Sequence, residues 1–77
     1  MPRFFFDIHD GDFIHDDVGH DLPNLKTVRA EAQRALAGMA ATKPPDANAI
    51  QIRVDVRDDS GKRVVMASLL SVIEDAP

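Results

Sequence analysis

Apolar and polar residues alternate along residues 3–10, which predicts a strand with one apolar face and one mixed face. The apolar face is formed by Phe4, Phe6 and Ile8. The chain is expected to turn at Asp10-Gly11-Asp12, because these residue types tolerate a positive φ. A second strand is predicted within Phe13–Leu22, although Gly19 interrupts it and the apolar residues there do not alternate cleanly.

A helix is predicted from Leu25 to about Ala41, because apolar residues recur there every three or four positions. This apolar stripe consists of Leu25, Val28, Ala32, Ala35, Leu36 and Met39. Asn24 can cap the helix by accepting a hydrogen bond from a backbone N–H of the first turn. Lys43-Pro44-Pro45-Asp46 is predicted to end the helix and begin a linker, since neither proline can continue the helical hydrogen bonds.

Two further strands are predicted after this linker. In the segment Ile50–Arg57 every second residue is apolar, which indicates a strand with one buried face. Asp58-Asp59-Ser60-Gly61 predicts a hairpin turn. The last strand, Lys62 to about Glu74, is apolar on both sides, which suits either a central strand or a strand between the helix and a partner. We therefore predict one α+β domain over residues 1–77, a four-stranded antiparallel sheet in the order β-β-α-β-β with one helix packed on one face.

The size and charge of the chain restrict its function class. Its 77 residues fit one small domain, and the absence of cysteine excludes disulfides and thiolate metal sites. No apolar run approaches the ~18 residues of a membrane span, and no signal-peptide segment is recognisable, so we expect a cytoplasmic protein without a membrane partner. A net charge of −4 argues against a nucleic-acid partner, because such binding neutralises many phosphates with basic side chains.

The most unusual composition lies between Asp7 and Asp21, which contains six aspartates and all three histidines of the chain. Imidazoles and carboxylates bind divalent cations. The weak candidates for metal ligands are His9, His15, His20, Asp10 and Asp12. The spacing of the histidines, six and five residues apart, is unfavourable, because local chelation uses every second residue of a strand or every fourth of a helix. We therefore predict no metal site and no cofactor; a divalent-cation-binding module at this N-terminal hairpin is an alternative.

Catalysis is not predicted for any residue. The chain has no cysteine nucleophile, and no serine or threonine lies in a glycine-flanked strand–turn–helix segment, the setting that exposes a nucleophilic hydroxyl. A single helix on a small sheet also leaves little room for a substrate cavity. We expect no enzymatic activity.

RNA binding through the second hairpin is a further alternative. The basic residues at or near this hairpin are Arg53, Arg57, Lys62 and Arg63. Phe5 could offer a stacking surface on the same side of the sheet. Sheet-based RNA readers use two or three aromatic residues, however, and three aspartates dilute the positive charge here. The composition is compatible only with a weak RNA-binding domain.

The favoured interpretation is association with another protein or with a second copy of the chain. One helix covers only one face of a four-stranded sheet, so apolar side chains on the other face stay exposed unless a partner buries them. The predicted interface has an apolar centre, Phe5, Met66, Leu70 and Val72, and a rim, Arg53 and Arg57. We therefore predict a non-catalytic protein-interaction module or homodimer that uses the sheet face opposite the helix.

Several short segments carry a recognisable pattern. They are Met1-Pro2-Arg3-Phe4-Phe5-Phe6-Asp7, Asp10-Gly11, Asp16-Asp17-Val18-Gly19, Leu22-Pro23-Asn24-Leu25, Arg29-Ala30-Glu31-Ala32 and Val54-Asp55-Val56-Arg57-Asp58. In these segments the chain resembles a family of short uncharacterised bacterial proteins, a domain of unknown function. The resemblance covers nearly the whole chain and implies a free-standing β-β-α-β-β domain. It implies no activity, substrate or catalytic residue, and the histidines are not part of the pattern.

Overall fold

The structure, a computed structural model, describes residues 2–44 and 47–77. Met1 of the opening motif and Pro45 and Asp46 of the predicted linker lie outside the described residues. The elements are β1 (Arg3–Asp10), β2 (Asp12–Ile14), β3 (His20–Asp21), α1 (Leu25–Ala41), β4 (Ala49–Asp58) and β5 (Arg63–Val72). The predicted α+β class with one helix and an antiparallel sheet is confirmed. Within the described part of the chain, no helix is long and apolar enough to cross a membrane.

The strands form one antiparallel sheet in the order β2-β1-β4-β5, and β3 also pairs with β1. β1 and β4 are therefore central, whereas β5 lies at an edge. The two-sided apolar pattern of the last strand was compatible with a central strand, but β5 is not central. One side of β5 packs against the core through Val65, Ala67 and Leu69, while side chains on the other side are exposed.

The second strand predicted within Phe13–Leu22 is corrected to two short strands. β2 pairs with the end of β1, from Ile8 to Asp10, and β3 pairs with its beginning. Between β2 and β3 the chain leaves the sheet. Gly19 has a φ of 78° there, a conformation that glycine adopts without the steric cost that a Cβ brings. The order β-β-α-β-β therefore becomes β-β-β-α-β-β.

The core lies between α1 and the sheet. The helix contributes Val28, Ala32 and Leu36, which are all buried. The buried apolar residues of the strands are Phe4, Ile52, Val54 and Val56. Full burial of a valine or isoleucine side chain is worth about 1.5–3 kcal/mol relative to exposure. This single layer is therefore the main source of stability, and the opposite sheet face is left without a covering element from the described residues.

The helix begins where the sequence predicts. Asn24 has an extended backbone, and its Oδ1 accepts a hydrogen bond from the Thr27 backbone N–H over 2.9 Å, which confirms the predicted cap. α1 ends at Ala41, as predicted. The helix packs mainly on β4 and β5. A cavity of about 400 Å³ remains on the other side of α1, next to β1.

Candidate functional site

The sheet face opposite α1, which we call the open face, carries the residues that the sequence singled out as an interface. Strand register places these side chains on it: Phe5, Asp7 and His9 from β1, Arg53, Asp55 and Arg57 from β4, and Met66, Ser68, Leu70 and Val72 from β5. β4 separates the β1 residues from those of β5. The open face therefore has an ionic part on β1 and β4 and an apolar part on β5.

Two acidic residues lie directly opposite each other in the ionic part. Asp7 on β1 pairs with Asp55 on β4, and only 7% and 6% of their surfaces are exposed. Like charges in this position repel each other unless donors compensate. Arg57 Nε donates to Asp7 Oδ2 over 2.9 Å. His9 Nε2 and Arg53 Nη2 lie 3.1 Å and 3.2 Å from Asp55 Oδ2. Arg53 and Arg57 of β4 therefore lie against the acidic pair, although the buried Asp55 Oδ1 has no hydrogen-bond partner among the described residues.

Between the parts of β1 that pair with β2 and β3, the Asp16 side chain bonds to the β1 backbone. Its Oδ2 accepts a hydrogen bond from the Phe6 backbone N–H over 2.9 Å. Its Oδ1 accepts from the N–H groups of Val18 and Gly19, each over 3.0 Å. Partial burial raises the pKa of Asp16, but the three backbone donors outweigh burial and hold this pKa below the ordinary value of 3.8. Asp16 is therefore an ionised structural residue at neutral pH.

Asp7 is held in the same way. Partial burial raises the pKa of Asp7, whereas the Asp16 backbone N–H, which donates to Asp7 Oδ1 over 2.9 Å, and the Arg57 guanidinium lower it by more. His15 Nδ1 lies 3.4 Å from the same Asp7 oxygen. Arg57 also donates to the Asp16 carbonyl oxygen, so it ties β4 to the loop between β2 and β3. We call these linked residues the ionic cluster: Asp7, His9, His15, Asp16, Arg53, Asp55 and Arg57.

Phe5 is partly covered by Arg57 of the ionic cluster and by Gly19. The Arg57 guanidinium lies over its ring, 4.6 Å from the ring centroid. Gly19 is so close that a Cβ at this position would lie 2.8 Å from the ring. The sequence grouped Phe5 with Met66 in an apolar centre and placed Arg57 at its rim. The structure instead places Phe5 and Arg57 together, half-buried, with β4 between Phe5 and Met66.

Sequence reasoning missed the roles of Asp16 and Gly19: it noted Asp16 only within the acidic stretch and the family pattern, and Gly19 only as an interruption of the second strand and within that pattern. A signal was present, because an aspartate followed three residues later by a glycine is typical of a turn closed by the aspartate side chain. The hydrogen bond from Phe6 to Asp16 carries no such signal, since it joins residues that only the folded sheet brings together.

The three histidines do not converge. His9 and His15 flank Phe13, with ring centroids 4.7 Å and 6.1 Å from its centroid. His20 meets the Phe6 ring edge-on at 5.6 Å, on the helix side of the sheet. Among residues 2–44 and 47–77, no three His, Asp or Glu side chains are arranged to hold a metal ion. Of the other weak candidates, Asp10 forms an ion pair with Lys43, and Asp12 is exposed.

The apolar part of the open face consists of three side chains on β5. Met66, Leu70 and Val72, which we call the apolar strip, are 60%, 68% and 56% exposed. Ser68 interrupts the strip on the same face. Arg63 covers only one end, where its Nη1 lies 3.3 Å from the Met66 sulfur. The three predicted interface residues of β5 are thus brought together and left in contact with solvent.

The cavity of about 400 Å³ beside α1 lies on the helix side of the sheet, between the helix and β1. Its walls include apolar residues of β1 and β4 and four titratable residues, His15, Asp16, His20 and Glu31. Both oxygens of Asp16 already accept backbone hydrogen bonds, and Glu31 forms an ion pair with Arg34. Ligand sites usually combine apolar walls with a few polar groups that are free to orient the ligand. Both carboxylates of this cavity are already engaged.

Comparison with protein-family models agrees with the resemblance found in the sequence. A model described as a domain of unknown function, DUF6894, matches residues 3–71. No curated protein and no solved structure matches the chain significantly. The matched range contains the complete ionic cluster and the apolar strip except Val72.

Proposed function

The chain belongs to the DUF6894 family, whose description gives no function, and we propose that it acts as a non-catalytic, cytoplasmic protein-interaction module. Its contact surface is the β5 half of the open face, with the apolar strip at the centre. Arg53 of the ionic cluster borders this surface, since it pairs with Ser68 across β4 and β5. Of the other predicted interface residues, Phe5 lies farther away, on β1 beyond β4, and Arg57 of β4 lies over the Phe5 ring.

The observation that carries this proposal is the exposure of the apolar strip. Three large apolar side chains on one face of one strand, each more than half exposed, contribute little to the stability of the isolated domain. Burying a leucine or methionine side chain completely is worth about 1.5–3 kcal/mol. A partner that covers the strip would therefore gain several kcal/mol from three residues.

The ionic cluster supports the non-catalytic part of the proposal. Asp7 and Asp16 have lowered pKa values because backbone N–H groups and Arg57 outweigh the effect of their burial. A general acid or base working at neutral pH needs the opposite, a pKa raised toward 7 and a free position beside the substrate. These carboxylates instead connect β1, β4 and the loop between β2 and β3.

The two alternatives from the sequence have less support. A divalent-cation module requires the histidines to share a site, whereas His9 and His20 lie on opposite faces of the sheet. An RNA-binding hairpin requires free arginines, whereas Arg53 and Arg57 lie against Asp55 and Asp7. These ion pairs reduce the positive potential that attracts phosphates.

Site-specific photo-crosslinking tests the proposal. A photoreactive amino acid such as benzoylphenylalanine replaces Leu70, in the cells that naturally produce the protein. We expect one predominant adduct, with another protein or with a second copy. The matched control places the same amino acid at Val18, which is equally exposed at 70% but lies outside the strip. Adducts at Leu70 no more abundant than those at Val18 would contradict the proposal.

A further inference from the structure

We propose that the partner is a second copy of this chain, and that the two copies join edge to edge through β5 in an antiparallel register centred on Ser68. The inference rests on the proposed function, because the side chains of the apolar strip meet those of the second copy across the new strand pair. It adds the identity of the partner, the geometry of the contact and the residues that face each other.

The first argument is the contrast between the two edges of the sheet. The outer edge of β1 is occupied by β2 and β3, and Asp16 binds the Phe6 N–H between them. The outer edge of β5 extends over ten residues, Arg63–Val72, and no described segment pairs with it. Soluble proteins usually protect such an edge with lysine, proline or a bulge. Of these ten residues only Arg63 is charged and none is proline, and the register irregularity of β5 is confined to its first three residues, where it pairs with Val56 and Arg57.

The second argument is self-complementarity. When a twofold axis perpendicular to the sheet relates two copies, residues that face each other across the new strand pair lie on the same face. Centring this axis on Ser68 places Met66 opposite Leu70 of the second copy, and Val64 opposite its Val72. Ser68 meets its own equivalent. Every large side chain of the strip then faces another apolar side chain.

Neighbouring registers lack this match. An axis centred on Ala67 would place Met66 opposite Ser68 of the second copy, and an axis centred on Leu69 would place Leu70 opposite that serine. Both arrangements bring a large apolar side chain of the strip against a polar one, which loses a favourable apolar cross-strand pair.

The position of α1 allows the two copies to approach. The helix packs on β4 and β5, so its axis lies inward of the β5 edge. Two strands in a sheet are ~4.8 Å apart, so two helices over neighbouring strand pairs would lie about 10 Å apart. This distance is close to the 8–10 Å at which helices pack. The groove between α1 and β5, which Leu25, Arg29 and Leu36 help to line, would close against its equivalent.

A cysteine scan of β5 tests the register, because the chain contains no cysteine of its own. In the Ser68→Cys variant the two new thiols face each other. Directly opposed residues of antiparallel strands have Cα atoms about 4.5–5.5 Å apart, within the range that a disulfide spans. We expect rapid formation of a disulfide-linked dimer under mild oxidation, seen on a non-reducing gel at twice the chain mass of 8.5 kDa.

The matched control is Ser71→Cys on the same strand. In the proposed register Ser71 faces Val65 of the second copy, so the two Ser71 positions lie about 20 Å apart along the strands. We expect at least tenfold slower crosslinking than for Ser68→Cys. Equal rates, or a monomer in sedimentation equilibrium at the concentration of the crosslinking experiment, would overturn the dimer.

The outcomes separate this inference from the proposed function. Photo-crosslinking at Leu70 to a different protein, without crosslinking of Ser68→Cys, would leave the interaction module standing and exclude the β5 dimer. A Leu70 adduct between two copies without crosslinking of Ser68→Cys would indicate that the copies meet face to face, which also overturns the edge pairing. The Ser68→Cys dimer is expected only if β5 pairs with β5.

Discussion

The two halves of the open face lie on neighbouring strands, but their side chains have different surroundings. The ionic cluster buries charge and compensates it within the chain, through the contacts of Arg57 with Asp7 and of Asp16 with the β1 backbone. The apolar strip exposes large side chains that nothing described in the chain covers. The comparison teaches that charged side chains on a sheet face can be structural rather than free for binding. The charged half connects β1, β4 and the loop between β2 and β3, whereas the apolar half is left exposed, which is why we propose it as the contact surface.

The comparison predicts that substitutions in the ionic cluster affect stability, whereas substitutions in the strip affect association. The largest loss is expected for Arg57→Met, which keeps an apolar stem near Phe5 but leaves Asp7 buried without its cation. Removing one partner of a buried ion pair costs about 3–5 kcal/mol, and we expect about 3 kcal/mol because Arg57 is partly exposed. Urea unfolding measures this loss.

The control for Arg57→Met is Arg3→Met. Arg3 also bonds to an aspartate, Asp21, but both side chains are about half exposed. Exposed pairs contribute less than ~1 kcal/mol. Equal losses in the two variants would show that the ionic cluster is no more important than a surface ion pair.

A smaller loss is expected for Gly19→Ala. The new Cβ would lie 2.8 Å from the Phe5 ring, and the backbone has a φ of 78°. We expect a loss of about 2–3 kcal/mol, from the backbone strain and the overpacking together. Gly11→Ala has nearly the same φ, 76°, but no neighbour within 4 Å, so it isolates the backbone contribution of about 1 kcal/mol. If both variants lose the same stability, Phe5 is not covered by Gly19 as described.

The loss of stability in acid is expected to distinguish the carboxylates of the ionic cluster from exposed ones. The pKa values of Asp7 and Asp16 are lower in the folded state than their ordinary value of 3.8. The folded state therefore gains stability from these groups above pH 4, and loses it as the pH falls through the lowered values. We expect Asp16→Asn to flatten this acid-induced loss, measured as urea midpoints at decreasing pH. Asp12→Asn, at an exposed position, should leave the dependence unchanged.

The smallest effect on stability is expected in the apolar strip. Leu70→Gln removes a side chain that is 68% exposed, so the free energy of unfolding of the isolated chain should change by less than about 0.5 kcal/mol. Its self-association should weaken at least tenfold, measured by sedimentation equilibrium. Val18→Gln, at a position with similar exposure, should leave both quantities unchanged. A dimer of undiminished affinity in Leu70→Gln would remove the strip from the interface.

The sequence predicted those features that depend on neighbouring residues. The cap at Asn24, the helix Leu25–Ala41 and the alternation in β4 follow from local patterns, and the structure has them. The split between β2 and β3 was not predicted, because it depends on the contact between Asp16 and Phe6, ten residues apart. Local propensity carries no information about a hydrogen bond that forms only when β1 is already in place.

In the candidate site, too, features that depend on neighbouring residues were predicted, and features that depend on contacts between strands were not. Met66, Leu70 and Val72 were grouped correctly because alternation along one strand fixes a shared face. Phe5 and Arg57 were assigned to the same surface, but their environment depends on the register between β1 and β4. In that register the two residues are directly opposite, and the guanidinium lies over the ring. Alternation predicts which face a side chain occupies, but not which neighbour it contacts there.

The occupied outer edge of β1 has a consequence for how large an assembly can grow. A protomer with two bare strands at its borders could add copies in both directions and form a filament. Because β2, β3 and the Asp16 carboxylate already bind that border of β1, the long unpaired strand edge among the described residues is that of β5, whereas β2 and β3 present only three and two residues. A symmetric union of two such borders uses up both, so growth ends at two chains.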